Sequence, residues 1–217
     1  MVRGVFITIE GCEGTGKSTQ AKRLAETLQD AGLAVTEVRE PGGTRVGEAV
    51  RAILLDPAHA ELDHRAELLL YEASRAQLLA ESIRPTLAAG HVVVCDRFVD
   101  STTAYQGYGR GLPLHEVTML NRFAVAGHLP DVTVLLDLDS AEGLCRATGL
   151  GADRLEAEDA AFHDRVRDGF LAIAAAEPDR VVVVDANGTV DEVAGRVVDA
   201  VKRIPVIATV LEERADG

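Results

Sequence analysis

The sequence predicts an α/β domain: a five-stranded parallel sheet flanked by helices on both faces. Three observations lead there. Apolar, β-branched runs recur at residues 5–9, 34–38, 91–95, 132–136 and 181–184. Stretches of helical periodicity separate them, and such alternation builds parallel sheets. The first run leads straight into Gly11-Cys12-Glu13-Gly14-Thr15-Gly16-Lys17-Ser18-Thr19, which fits G-x-x-x-x-G-K-[ST].

Taken in order, the 5–9 run reads as a buried strand, and a helical pattern from Lys17 to about Ala31 puts Leu24, Ala25 and Leu28 on one face. Strand, glycine loop and helix are the setting in which this motif acts as a P-loop, so the fold expected is that of the P-loop NTPases. Backbone N–H groups from Gly11 to Thr19, including those of Glu13, Gly14, Thr15 and Gly16, converge on phosphate oxygens at the helix N-terminus. Lys17 reaches the β/γ phosphates and Ser18 ligates Mg²⁺. The third run ends in Asp96-Arg97. An acid at that place holds Mg²⁺ beside the P-loop or caps a helix. Arg97 projects into the same crevice or pairs with Asp100 on the surface.

Residues 62–89 read as a long helix or helix pair, interrupted or bent near Pro85 and ended by Gly90. After the fifth run, Asp185 and Asn187-Gly188 mark a turn, and Val190, Val193, Ala194, Val197, Val198 and Val201 give the last helix one apolar face. The domain is expected to span 1–204. Pro205 stops the preceding helix, and the tail 205–217 reads as a short strand, a helix or a loosely held terminus without assigned function.

At 217 residues the chain fits one domain with a substantial core. Hydrophobic content of 47% with only 4% aromatics points to Val, Leu, Ile and Ala packing. Net charge is −13, from 22 basic and 35 acidic residues, which repels nucleic acid and anionic membranes. A nucleotide site must therefore be a local cluster of cations. Cys12, Cys95 and Cys145 are far apart in sequence and odd in number, which suits reduced thiols, with Cys12 a small apolar filler. Met1-Val2-Arg3 runs into the first strand with no signal-peptide pattern, and no run reaches membrane-span length. A soluble, cytoplasmic protein is expected. The six histidines show no ligand spacing.

The reaction class depends on the acceptor. A P-loop alone serves a hydrolase, a switch GTPase, a motor or a kinase, and no guanine-reading N-K-x-D is present. Arg39, Arg45, Arg51, Arg75, Arg97 and Arg110 fall in the expected crevice loops. Hydrolysis needs few of these; bringing two anionic phosphates together needs many. A phosphate monoester acceptor is already ionised near neutral pH, so no general base is required. Positioning and charge neutralisation carry the chemistry, which points to a nucleoside monophosphate kinase.

Six motifs in order then make a specific likeness. They are the P-loop, Arg39-Glu40-Pro41-Gly42-Gly43-Thr44, Asp96-Arg97-Phe98, Ala104-Tyr105-Gln106-Gly107 with Arg110-Gly111, Pro130-Asp131, and Asp153-Arg154-Leu155-Glu156. From Ile7 to about Glu156 the chain resembles the bacterial thymidylate kinases. That resemblance implies dTMP + ATP → dTDP + ADP, with Mg²⁺ held by Ser18 and Asp96. It implies that Tyr71 stacks on thymine while Arg75, on the same helical face, contacts its carbonyl edge. Gln106 would meet the N3–H edge, with Ser101, Thr102 and Tyr105 near the base. Arg51 and Arg97 would grip the dTMP phosphate, with Glu40 beside it and Pro41 shaping the loop. One branch of the family carries an arginine after the P-loop acid. Here Gly14 follows Glu13, as in the branch that supplies the arginine from a lid, expected at 146–156. Arg154 is then favoured over Arg146, in a lid with fewer arginines than usual. The resemblance also implies a homodimer, with the apolar face of the 62–79 helix as interface or core. Two other readings stay open: a kinase for another deoxynucleotide or for a deoxynucleoside, with Glu40 as base, and a non-catalytic P-loop ATP switch.

Overall fold

The computed structural model describes residues 3–147 and 153–215. Five parallel strands form one sheet in the order β2-β3-β1-β4-β5. They are β1 Phe6–Gly11, β2 Val35–Arg39, β3 Val92–Asp96, β4 Val132–Asp137 and β5 Val181–Asp185. Each lies within two residues of the expected run at either end. The helices are α1 Lys17–Asp30, α2 Arg45–Leu55, α3 His64–Leu78, α4 Arg84–Ala88, α5 Val99–Thr102, α6 Leu114–Val125, α7 Ser140–Ala147, α8 Ala160–Ala176, α9 Val190–Val201 and α10 Pro205–Ala215.

Period-2 alternation in β1 explains the layering. Ile7 and Ile9 face a core shared with Leu24 and Leu28 of α1 and Val193 and Val197 of α9. Phe6 points to the other face, packing with Phe98, Leu78 and Ile83. Phe162, Val166 and Phe170 of α8 close that face over β4 and β5. Thr8 and Glu10 also point to that second side, and both are fully buried. Thr8 bonds Thr133 at 2.7 Å, and Glu10 accepts from Phe98 N, Ser101 N and Ser101 Oγ at 2.6–3.2 Å. These polar residues in a central strand fix the segment that follows β3.

The expected long helix runs as α3, a π-helical stretch Leu79–Ile83, then α4. Pro85 has no N–H to return to the preceding turn, and a π-bulge absorbs that loss without a break. Gly90 then ends it at φ 81°. A second π-helix, Thr103–Gly109, continues α5. The tail beyond Pro205 is a helix whose Ile207 is fully buried in the β1 core.

Register places the crevice. Ile9 of β1 pairs with Asp96 of β3, so the P-loop and the Asp96-Arg97 turn leave adjacent strands side by side. The helices connecting them leave in different directions, the position where α/β sheets bind ligands.

Candidate active site

The loop from Cys12 to Gly16 curls so that Gly16, at φ 84°, caps α1. Lys17 folds back, its Nζ donating to Cys12 O at 2.6 Å. Burial and the neighbouring Arg97 push the Lys17 amine down to about 8. Burial and Glu13 push the Cys12 thiol up to about 12, so this loop cysteine is a packed, unreactive filler. Ser18 Oγ donates to Asp96 Oδ2 at 2.5 Å. The other carboxylate oxygen, Asp96 Oδ1, is buried without a hydrogen-bond partner.

Arg97 sits at φ 70°, a left-handed conformation rare outside glycine. That turn brings its guanidinium back over β1. Nη1 donates to Gly11 O at 3.1 Å and Ser101 Oγ at 3.2 Å, and Nη2 to Glu13 Oε1 at 3.3 Å. The guanidinium lies 5.0 Å from the Tyr105 ring centroid, and the Tyr105 hydroxyl donates to Glu13. Burial alone would raise the Glu13 carboxyl. His163, Arg97 and Lys17 outweigh burial and hold it well below the usual range. Asp100 does not meet Arg97; it pairs with Arg180 at 2.7 Å.

The loop after β2 contains a cis Glu40–Pro41 bond. Its Pro41 carbonyl accepts from Arg39 at 3.2 Å and Arg51 at 2.9 Å, bringing two cations together. Thr44 caps α2 by accepting from Gly47 N at 2.9 Å. On the opposite wall, Gln106 Nε2 donates to the buried Glu67 at 2.8 Å, and Thr102 Oγ1 is buried without a partner.

One cavity of about 390 Å³ collects these groups. Glu13, Gly14, Gly16, Lys17, Ser18 and Thr19 line it from the P-loop, with Asp96 and Arg97 beside them. Glu40, Pro41 and Arg51 line it from the β2–α2 side. Tyr71, Ser101, Thr102, Tyr105 and Gln106 complete the wall. Gly11 and Thr15 shape the loop without lining the cavity; Thr15 Oγ1 donates to Cys12 O at 2.9 Å.

Five expected arginines do not line the cavity: Arg45 is the exposed first residue of α2, Arg110 is drawn to the buried Glu67 at 3.1 Å, and Arg75, Arg154 and Arg146 are held elsewhere. Arg75 is 1% exposed, and its donors go to Glu40 and Glu72, Asn121 and Phe98 O, at 2.7–3.0 Å. The two carboxylates outweigh burial and raise its pKa. It therefore holds the Glu40 loop and has no N–H turned to the cavity. Arg154 is buried too, with Nε on Leu54 O at 2.9 Å and its guanidinium paired with Glu67. Arg146 is exposed on α7, paired with Glu142 at 2.5 Å. The lid's residues 148–152 lie outside the described residues. Leu55, Asp153 and Glu156 also line the cavity without having been singled out. The acids belong to a quoted motif, but only the closing of α2 against that turn brings them to the site.

The family model described as thymidylate kinase matches residues 9–197. The chain belongs to the thymidylate kinase family. It is 56% identical over 198 residues to the thymidylate kinase of Solidesulfovibrio magneticus, covering 88% of this chain and 95% of that one. The thymidylate kinase of Deinococcus radiodurans is 52% identical over 202 residues, covering 93% and 98%. The crystal structure of thymidylate kinase from Ehrlichia chaffeensis superposes with a TM-score of 0.76 at 35% identity, covering 92% of this chain and 99% of that one. Membership makes this chain a nucleotide-binding phosphotransferase of thymidylate kinase type.

Proposed function

We propose that the protein phosphorylates dTMP to dTDP with ATP in the single cavity described above. The observation that carries this reading is that phosphate-loop groups and a wall of Tyr71, Ser101, Thr102, Tyr105 and Gln106 line one cavity. ATP would enter over the P-loop, its phosphates facing backbone N–H groups and Lys17. Arg97 and Arg51 would meet the acceptor phosphate, cancelling repulsion between two anions. Tyr71 would stack on thymine, while Gln106 and the unpartnered Thr102 hydroxyl would face polar groups of the nucleoside. Arg75 acts one step removed, by fixing Glu40.

The donor set suits Mg²⁺. Among the described residues no three acidic, histidine or cysteine side chains gather as a metal cage. Ser18 and the unsatisfied Asp96 oxygen offer the sparse, hard ligation that a phosphate-bound, hydrated Mg²⁺ takes. When bound, the ion supplies charge neutralisation at the transferring phosphate. The lid arginine is proposed to come from the 146–156 segment, by rearrangement of Arg146 or Arg154 on closure.

A homodimer is proposed as well. Leu69 of α3 and Met119 and Phe123 of α6 are exposed on helices that pack side by side, with Phe123 at 85%. No described helix is long and apolar enough to cross a membrane, and a cytoplasmic site of action fits the reaction.

The test is coupled ADP release with ATP and Mg²⁺ across dTMP, dUMP, dCMP, dGMP, AMP and thymidine. Strong turnover with dTMP, less with dUMP and little with the rest is expected. Turnover with thymidine and none with dTMP would overturn the acceptor assignment. ATP binding without acceptor-dependent turnover would point to the switch class.

A further inference from the structure

His163 lies in the first turn of α8, its side chain 1% exposed. Its ring stands nearly perpendicular to that of Phe162, with centroids 5.4 Å apart. Its Nδ1 stands 3.4 Å from Glu13 Oε2. Neither ring nitrogen makes a hydrogen bond of good geometry, and neither does Glu13 Oε2. Buried polar atoms without partners are costly, and a small closing movement satisfies the carboxylate oxygen and Nδ1 together. The second oxygen, Glu13 Oε1, is already held by Tyr105 and Arg97. Glu13 thus stands between His163 on one side and Arg97 on the other.

We propose that His163 is a positioning residue for phosphoryl transfer, pinning the Glu13 carboxylate and through it aiming Arg97 at the acceptor phosphate. The proposal rests on the role given to Arg97 above. Three tethers hold the Arg97 guanidinium: Gly11 O, Ser101 and Glu13. Of these only Glu13 is a countercharge. Without the imidazole, Glu13 Oε2 is left buried and unpaired, and the carboxylate turns or takes a proton. Arg97 then loses its electrostatic tether, and misplacement of a phosphate-gripping group by about 1 Å costs up to roughly 10²-fold in rate.

The groups facing this pair are Lys17 from α1, Arg97 after β3, Tyr105 from the π-helix, and the backbone carbonyls of Glu156 and Glu158. Burial opposes the charged ring, but Glu13 and those carbonyls outweigh it and raise the His163 pKa. The pair is therefore strongest below the raised His163 value and fades as pH rises through it.

Two readouts test it. Ring-labelled NMR of the full chain should show His163 titrating above an ordinary histidine, with the midpoint falling in Glu13→Gln. An ordinary midpoint indifferent to Glu13→Gln overturns the proposal. In kinetics, His163→Phe should keep its melting temperature within a few degrees while kcat/KM for dTMP falls about tenfold, KM for dTMP rising more than KM for ATP. His163→Gln, which keeps a donor, should recover most of the loss. Wild-type kinetics in His163→Phe, or equal losses in both variants that track lost thermal stability, overturn it. Failure of the functional reading looks different: the wild type would show no dTMP-dependent turnover while the His163 titration still responded to Glu13→Gln.

Discussion

Lys17 shows how a single buried group can set opposite trends. Its depressed pKa of about 8 reflects burial and Arg97, and the protonated amine is the form that attracts phosphate. We expect kcat/KM for ATP to fall as pH rises through about 8. Stability should move the other way: between about 8 and 10.5 the unfolded chain holds the proton that the folded chain has lost, so unfolding becomes harder. A pH–rate profile and urea midpoints measured on the same samples check both. Lys17→Met should flatten that component of each curve and lower kcat by roughly 10²–10³-fold.

Between elements, the P-loop meets α7 backbone to backbone. Gly14 lies at φ 68°, and a Cβ there would stand 1.9 Å from Gly143 O; a Cβ on Gly143 would stand 2.5 Å from Glu13 O. No side chain fits at position 14, which explains in physical terms why no P-loop arginine is carried here. Gly143→Ala makes a sharp test. Helix propensity favours alanine by about 1 kcal/mol, yet overpacking against rigid backbone costs about 1–3 kcal/mol. We expect net destabilisation in urea and weaker ATP binding by calorimetry.

Glu67 of α3 ties α3, the π-helix and the turn after the lid together through Arg110, Gln106 and Arg154. Burial would raise its pKa, but Arg110 and Gln106 lower it. Its contribution is present above the unfolded carboxylate value and lost as pH falls through the depressed one. Glu67→Ala leaves two arginines without their buried countercharge and should cost about 3–5 kcal/mol, read from denaturant midpoints at neutral pH.

For the whole molecule, a net charge of −13 disfavours casual association, so an exposed apolar patch on α3 and α6 stands out against its surroundings. Replacing Met119 and Phe123 together with Glu should convert a dimer to monomer in sedimentation velocity. An unchanged sedimentation coefficient, or a wild type that is already monomeric, would place the interface elsewhere or remove it.

Much of the fold was legible in the sequence because its signals are local. The five β-branched runs, the glycine loop and the Asp96-Arg97 step each declare an element or its end, and the P-loop residues are contiguous. Cavity residues such as Tyr71 and Gln106 were legible only through likeness to a family, and Arg51 by itself only as one of six crevice arginines. Local patterning does not say which arginine turns inward. Arg75, Arg97 and Arg154 look alike along the chain. Tertiary structure separated them: Arg97 by its positive φ and contact with Glu13, Arg75 and Arg154 by buried carboxylates 35 and 87 residues away in sequence, Glu40 and Glu67. The His163–Glu13 contact was likewise beyond sequence reading, because it joins α8 to a loop 150 residues earlier in the chain. Hydrophobic period and glycine placement act over a few residues, so the five strands, their order along the chain and the phosphate loop could be read locally, while the helical tail and the two π-helices could not. Which charges hold the fold and which remain for ligands depends on burial and ion pairing between residues from distant parts of the chain, and the folded arrangement alone settles it.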